Sequence, residues 1–239
     1  MDCPRKLKHL NSVAAIEAHD LRDFTVWTQF LSRWNEIETS KYTATPASTS
    51  TVTLSDTSDM KVGLPVRYTY NGNTNYGIIT AVSANTSITV AGAALDTGHA
   101  LTELSVGCPE MVVQVPFFVL GLYGDGAADL LLSDMYTYFR WKLARAYLVR
   151  YEATHQTADT GGAQPKLNVK VDGNLVGTED SNNGIQLSSA GTWVQSSAVA
   201  ISNSNYVVDR DDAIEVRCTV AGTNSNARHL SGNMIFVLG

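Results

Sequence analysis

Charge is scarce in this chain. Only 17% of its 239 residues are Asp, Glu, Lys or Arg, against about 25% in an ordinary soluble protein. Long apolar runs are missing too. The longest, from Met111 to Tyr123, is broken by Gln114, Pro116 and Gly121, well short of the roughly 18 residues that a membrane span needs. No membrane span is expected. The N-terminus has no apolar core of a signal peptide, so the general secretory route is not expected either. Cysteine is rare: Cys3, Cys108 and Cys218 are odd in number and widely spaced. No pair has zinc-site spacing and no disulfide framework is apparent, which leads to an expectation of free thiols in a reducing compartment.

Catalytic patterns are equally thin. The five histidines, His9, His19, His99, His155 and His229, fall in no metal-binding or acid–base spacing. There is no HExxH, GxSxG, P-loop or dinucleotide-type GxGxxG. Ser189-Ala190-Gly191 and Ser231-Gly232 lack the flanks of a nucleophile elbow. No enzyme activity, cofactor or metal is therefore expected. The net charge is −6 and the pI about 5.3. Arg5, Lys6, Lys8 and His9 form the one basic cluster; a solvated tail is favoured over phosphate contact, and nucleic acid is not an expected partner.

Thr, Ser, Asn and Gly fill the space that charge leaves. β-Branched Thr suits a pleated strand, and Asn and Gly suit tight turns, so the chain reads as mainly β. The exception is residues 12–38. Leu21, Phe24, Trp27, Leu31 and Trp34 recur at spacings of three and four, as on one helix face. Asp20 suits the N-cap and Asp23 the first turn. Two tryptophans on one stripe must be buried, either on this chain's own sheets or on a neighbouring subunit.

From Lys41 a Ser/Thr-rich linker leads into short strands at Thr51–Leu54, Val62–Tyr70, Tyr76–Ala84 and Ser87–Val90. Asn71-Gly72 is a strong hairpin signal. Val66, Tyr68 and Tyr70 share one face by the two-residue period, and a small β-barrel-like module is expected. Asp96–Gly107 reads as a connector. Further strands are expected at Val112–Leu122, Ala144–Ala153, Lys166–Val171, Thr192–Ile201, Ala213–Val220 and Asn233–Leu238. Shorter ones are expected at Leu130–Leu132, Tyr136–Trp141 and Gly184–Leu187. Asp172-Gly173 is a hairpin turn. This rhythm suggests a jelly-roll-like sandwich of two sheets. The division is an N-terminal helical anchor (1–40), a small β module (41–106) and a β-sandwich (107–239).

Three clusters have a plain reading and a sharper one. Asp209, Asp211 and Asp212 could hold calcium, but Arg210 interrupts them and a solvated turn is favoured. Asp125, Asp129 and Asp134 likewise read as turn residues. Tyr68, Tyr70 and Tyr76 could stack on sugars or bases; a role in the module's own core is favoured. The sequon Asn85-Thr86-Ser87 is a short pattern that arises readily by chance.

Residues 43–95 resemble a small β module of tailed-phage structural proteins. The similarity lies in a TPAS-like lead, the strand VGLPVRY, an NG turn, YGIITAV and the close ITVAG. Residues 144–201 resemble β-sandwich domains of phage fibre, collar and decoration proteins, through Ala146–Arg150, PKLNVKVDGN with Val176, and AGTWVQSS. The resemblance implies a non-enzymatic virion component of the head-decoration, neck or short-tail-fibre kind. Its partners would be other virion proteins, its assembly a homo-oligomer with a trimer favoured, and its release would follow cell lysis. A long fibre is disfavoured, since no repeat shaft or coiled coil is present. Leu21, Phe24, Trp27, Leu31 and Trp34 are then the expected anchoring interface. The alternative is a receptor-binding module that grips a host surface glycan through the sandwich loops.

Overall fold

The structure is a computed structural model that describes residues 34–37, 44–122, 138–157, 165–176, 185–186, 191, 193–195, 206–220 and 228–239. Among these residues there is no α-helix, and every strand pairing is antiparallel. The first seven strands are β1 (Trp34–Ile37), β2 (Thr45–Pro46), β3 (Thr51–Thr53), β4 (Pro65–Tyr70), β5 (Asn73–Ser83), β6 (Ser87–Gly92) and β7 (Glu103–Gly107). They form one sheet in the order β1-β7-β4-β5-β6-β3-β2.

Alternation explains why this sheet curls onto a core of its own. On β4, Val66 and Tyr68 are fully buried while Arg67 and Thr69 point away. Together with Ile37, Val52, Ile79, Ile88 and Leu104 they make a single cluster drawn from six strands. The Tyr68 hydroxyl donates to the carbonyl of Ala93, and the Tyr70 hydroxyl to that of Ala94 at 3.0 Å. Each ring thus keeps its polar tip satisfied, with the body of Tyr68 buried and that of Tyr70 half-buried. The β4–β5 hairpin closes through Asn71 at φ 46° and Gly72 at φ 75°, the left-handed pair that a type I′ turn needs.

The remaining strands are β8 (Val112–Leu122), β9 (Tyr138–Arg140), β10 (Ala146–Thr157), β11 (Pro165–Val171), β12 (Asn174–Leu175), β13 (Ile185–Gln186), β14 (Val194–Gln195), β15 (Val207–Val208), β16 (Ala213–Val220) and β17 (Arg228–Leu238). They make two sheets. An inner sheet runs β14-β10-β17-β8, with β15 also on β10; an outer sheet runs β12-β11-β16-β9, with β13 also on β11. The two sheets face each other across Phe117, Leu148, Tyr151, Leu167, Val169, Ile214 and Phe236.

At Leu148 and Val149 of β10 and Met234–Val237 of β17 the inner sheet is buried on both faces. Met234 and Phe236 turn toward the outer sheet, and Ile235 and Val237 toward the first sheet. A strand covered on both sides has no need of polar alternation, which accounts for the unbroken apolar run Met-Ile-Phe-Val-Leu at 234–238. On β10, Leu148 and Val149, adjacent in sequence, point to opposite faces and both are fully buried because each face meets a core; the register with β17 shifts between Leu148 and Arg150.

Four expectations need correction. Trp34–Ile37, the end of the expected helix, is strand β1, paired with β7. Trp34 and Ile37, three residues apart, lie on opposite faces of a strand. Both are buried because the two faces meet different cores, and over four residues that looks the same as helical spacing. Residues 12–33 of that stretch lie outside the described residues. The supposed connector Asp96–Gly107 contains β7, an interior strand between β1 and β4. The linker after Lys41 contains the short strand β2. Cys108 is disulfide-bonded rather than a free thiol, because spacing along the chain does not report proximity in space. The expected strand Leu130–Leu132 falls outside the described residues, and of Thr192–Ile201 the described strand is Val194–Gln195.

Gly232 on β17 shows how tightly the inner sheet is filled. A Cβ there would lie 2.0 Å from Cζ of Phe117 and 2.6 Å from the Glu152 carbonyl oxygen. The ring lies over the bare backbone, and the backbone oxygen cannot swing away. Gly232→Ala is expected to lower unfolding free energy by about 1–3 kcal/mol, read from the urea midpoint; an unchanged midpoint would contradict this packing.

Candidate functional site

The most highly organised group of side chains lies where the first sheet meets the inner sheet. Trp34 from β1 is opposite Gly107 of β7. A Cβ at Gly107 would come within 2.9 Å of Pro65 Cγ and Met111 Sδ, and 3.0 Å of Trp34 Cζ3, so the glycine makes room for the indole. Ile78, Ala91, Cys108 and Met111 line the same seam, and Val149, Ile235 and Val237 close it from the inner sheet.

An aromatic chain crosses the seam. The Trp34 and Tyr76 centroids are 5.8 Å apart; Tyr76 stacks on Tyr147 at 3.7 Å, and Tyr147 lies 5.6 Å from Tyr206. The Tyr206 hydroxyl reaches back to Asn75 Oδ1 at 3.4 Å, tying β5 to the segment before β15. Arg67 stands 5.5 Å from the Trp34 ring, within cation–π reach, and is steered by Glu103 at 3.6 Å and Ser105 Oγ at 3.3 Å. Burial, then the hydrogen bond with Tyr76, pushes the Tyr147 phenol up to about 12. Burial likewise raises Tyr206 well above the ordinary phenol range.

A second group lies at one end of the sandwich. Arg145 grips Asp209 with both forks, at 2.7 and 2.9 Å. Lys142 pairs with Asp211, and Arg140 Nη1 donates to the Asp211 carbonyl at 3.0 Å. The backbone N–H of Asp209 donates to Asp212 Oδ2 at 2.8 Å. The hydrogen bond from Arg145 holds the Asp209 carboxyl below its ordinary range, and Lys142 does the same for Asp211. The acidic trio is thus a turn whose carboxylates serve neighbouring cations and its own backbone. Among the described residues, no set of three or more His, Cys, Asp or Glu is arranged to hold a metal.

Among the described residues, four large apolar side chains are exposed: Val62, Phe118, Leu143 and Trp193. Phe118 and Pro116 both stand exposed on β8, which is the last strand of the inner sheet among the described residues. Trp193 sits just before β14, the strand at the opposite end of that sheet.

Of the five expected anchoring residues, Trp34 is 4% exposed and packs within its own chain. Leu21, Phe24, Trp27 and Leu31 lie outside the described residues, as do Asp125, Asp129 and Asp134. Tyr68 and Tyr70 belong to the first sheet's core, while Tyr76 faces the seam. Asn85 is an exposed turn residue at φ 49°. Reading the sequence alone missed Tyr147 and Tyr206. Their signal is weak, since tyrosine in or beside a strand is common and their meeting depends on how two sheets stack. Compared with protein families, curated proteins and solved structures, the chain finds no match.

Two outcomes follow from the seam. Trp34→Ala is expected to cost about 3–5 kcal/mol of stability, since it empties a buried indole site; chemical denaturation measures it. Tyr147 is a weaker acid in the folded chain than the ordinary phenol near 10. Its stabilisation is therefore complete below pH ~10 and drains away as pH rises toward ~12. Tyr147→Phe should flatten that alkaline fall in thermal midpoint.

Proposed function

We propose that this chain is a non-enzymatic structural component of a tailed-phage virion, of the head-decoration, neck or short-tail-fibre kind, acting through protein–protein interfaces. The observation that carries the reading is a coincidence of sequence and fold. Residues 43–95, which resemble the phage β module, span strands β2 to β6 of one sheet, and that sheet has its own core. That sheet docks on a pair of facing sheets, read here as a jelly-roll-like sandwich. Three stacked layers with two cores and a filled seam suit a part that bears load and presents surfaces. Apolar burial supplies roughly 25 cal/mol per Å² at each contact, and a symmetric homo-oligomer, with a trimer favoured, multiplies modest contacts into firm attachment.

Purified virions of the phage carrying this gene should contain the chain in fixed stoichiometry, and the isolated chain should have the mass of a trimer by light scattering. Absence from the particles by quantitative mass spectrometry overturns the virion reading; a monomer overturns the trimer alone.

A second reading rests on Trp193, which is 48% exposed beside β14. An exposed indole at a sandwich edge can serve as a contact anchor, here for a host surface glycan. On that reading Trp193→Ala should abolish binding of the full chain to host envelopes while leaving its thermal midpoint unchanged; envelope binding equal to the parent's removes Trp193 from consideration.

A further inference from the structure

The first sheet covers only one end of the inner sheet, where Val149, Ile235 and Val237 close the seam. Further along β17, on the same face, stand Asn233 and then Ser231, both half-buried. The change from aliphatic to polar side chains marks where the cover stops. Beyond it, the strand register shows what the uncovered face carries.

Pro116 is in register with Asn233, and Phe118 with Ser231. On the other side of β17, Glu152 is opposite Asn233 and Thr154 opposite Ser231. Phe117, Tyr151 and Ala153 belong to the core toward the outer sheet, so alternation places Phe118, Glu152 and Thr154 on the uncovered face. β14 pairs Val194 with Ala153, and the next position in that register brings Trp193 beside Thr154. One row thus crosses the sheet through Phe118, Ser231, Thr154 and Trp193. An aromatic side chain stands at each end of it, Phe118 64% exposed and Trp193 48% exposed. The two positions are three strand spacings apart, about 14 Å.

The floor between them is polar and carries no net charge. Arg150 pairs with Glu152, and the Asn233 amide donates to the other Glu152 oxygen at 3.4 Å. These planar groups hold one another in place. Arg150 Nε and Thr154 Oγ1, both shielded from water, have no hydrogen-bond partner, so the floor holds hydrogen-bonding capacity that the fold leaves unused. Two aromatics divided by a polar floor do not make the apolar centre of a protein interface. A nucleic acid needs a basic track, and the cation here is already neutralised by Glu152. A carbohydrate offers both matching chemistries: C–H faces for the rings, and hydroxyls that donate and accept for the floor.

We propose that the row from Phe118 to Trp193 is a binding platform for a neutral oligosaccharide lying across the strands. One sugar ring stacks on each aromatic, and the hydroxyls between them lie over Ser231, Thr154 and Asn233. The platform rests on the glycan reading of Trp193 and adds to it a floor and a second anchor on the far side of the sheet. A single sugar cannot reach both anchors, so affinity rises with chain length.

The test is a printed panel of neutral and acidic oligosaccharides probed with the full chain, followed by calorimetric titration of the neutral member bound best. Binding of a neutral oligosaccharide and not of its monosaccharide is expected. Phe118→Ala and Trp193→Ala should each weaken it roughly ten- to a hundred-fold. Leu143→Ala, an exposed apolar position ahead of the opposite end of β10, should bind as the parent does. All three variants should keep the parent's thermal midpoint. Full affinity in Phe118→Ala with loss in Trp193→Ala overturns the platform and leaves the Trp193 reading standing. Binding to no neutral member overturns both. Self-association of the parent that Phe118→Ala abolishes, read by light scattering, also overturns the platform and makes this face a contact between copies.

Discussion

One end of the inner sheet, at Leu148, Val149 and Met234–Val237, is buried on both faces, and the rest of the structure depends on that. A sheet with one wet face needs one partner; this one needs two. The outer sheet covers Leu148, Tyr151, Met234 and Phe236, and the first sheet covers Val149, Ile235 and Val237. Neither cover can be removed without exposing a contiguous apolar surface, which soluble proteins rarely tolerate beyond a few hundred Å². The first sheet is therefore a structural wall of the sandwich as well as a unit with a core of its own. The aromatic chain from Trp34 to Tyr206 fixes the angle at which that wall stands, because stacked rings accept only a few offsets.

Much of this architecture can be read from the sequence where alternation is clean. β4, β5 and β6 were expected within a few residues, because Val66, Tyr68 and Tyr70 alternate with polar neighbours and Asn71-Gly72 fixes the turn. β8, β11 and β16 were legible from β-branched content and flanking turn residues. The failures have separate causes. Where a strand is covered on both faces, the two-residue period vanishes, and Trp34 with Ile37 then looks helical. β7 reads as a connector because Glu103-Leu-Ser-Val-Gly carries only two large apolar residues, although it is an interior strand. Ser105 is fully buried there, paired with Arg67 instead of facing water.

The candidate site was less legible than the fold. Tyr76, Tyr147 and Tyr206 lie far apart in sequence, and no local pattern announces that two sheets bring them into one stack. The acidic turn at Asp209, Asp211 and Asp212 was read as a solvated turn. Its actual partners, Arg145 and Lys142, come from a segment more than sixty residues earlier. Sequence spacing reports neighbours along a strand or helix, whereas both groups are built across elements.

Pro116 has a consequence for behaviour at high concentration. It sits in the middle of β8, at the open side of the inner sheet among the described residues, and proline has no N–H to offer a further strand. An uninterrupted edge of that length would be a template for strand after strand from other copies. The proline divides it into two shorter segments, each less able to hold an incoming chain in register. Phe118 can then stand exposed on this strand without inviting the unlimited pairing that ends in fibres.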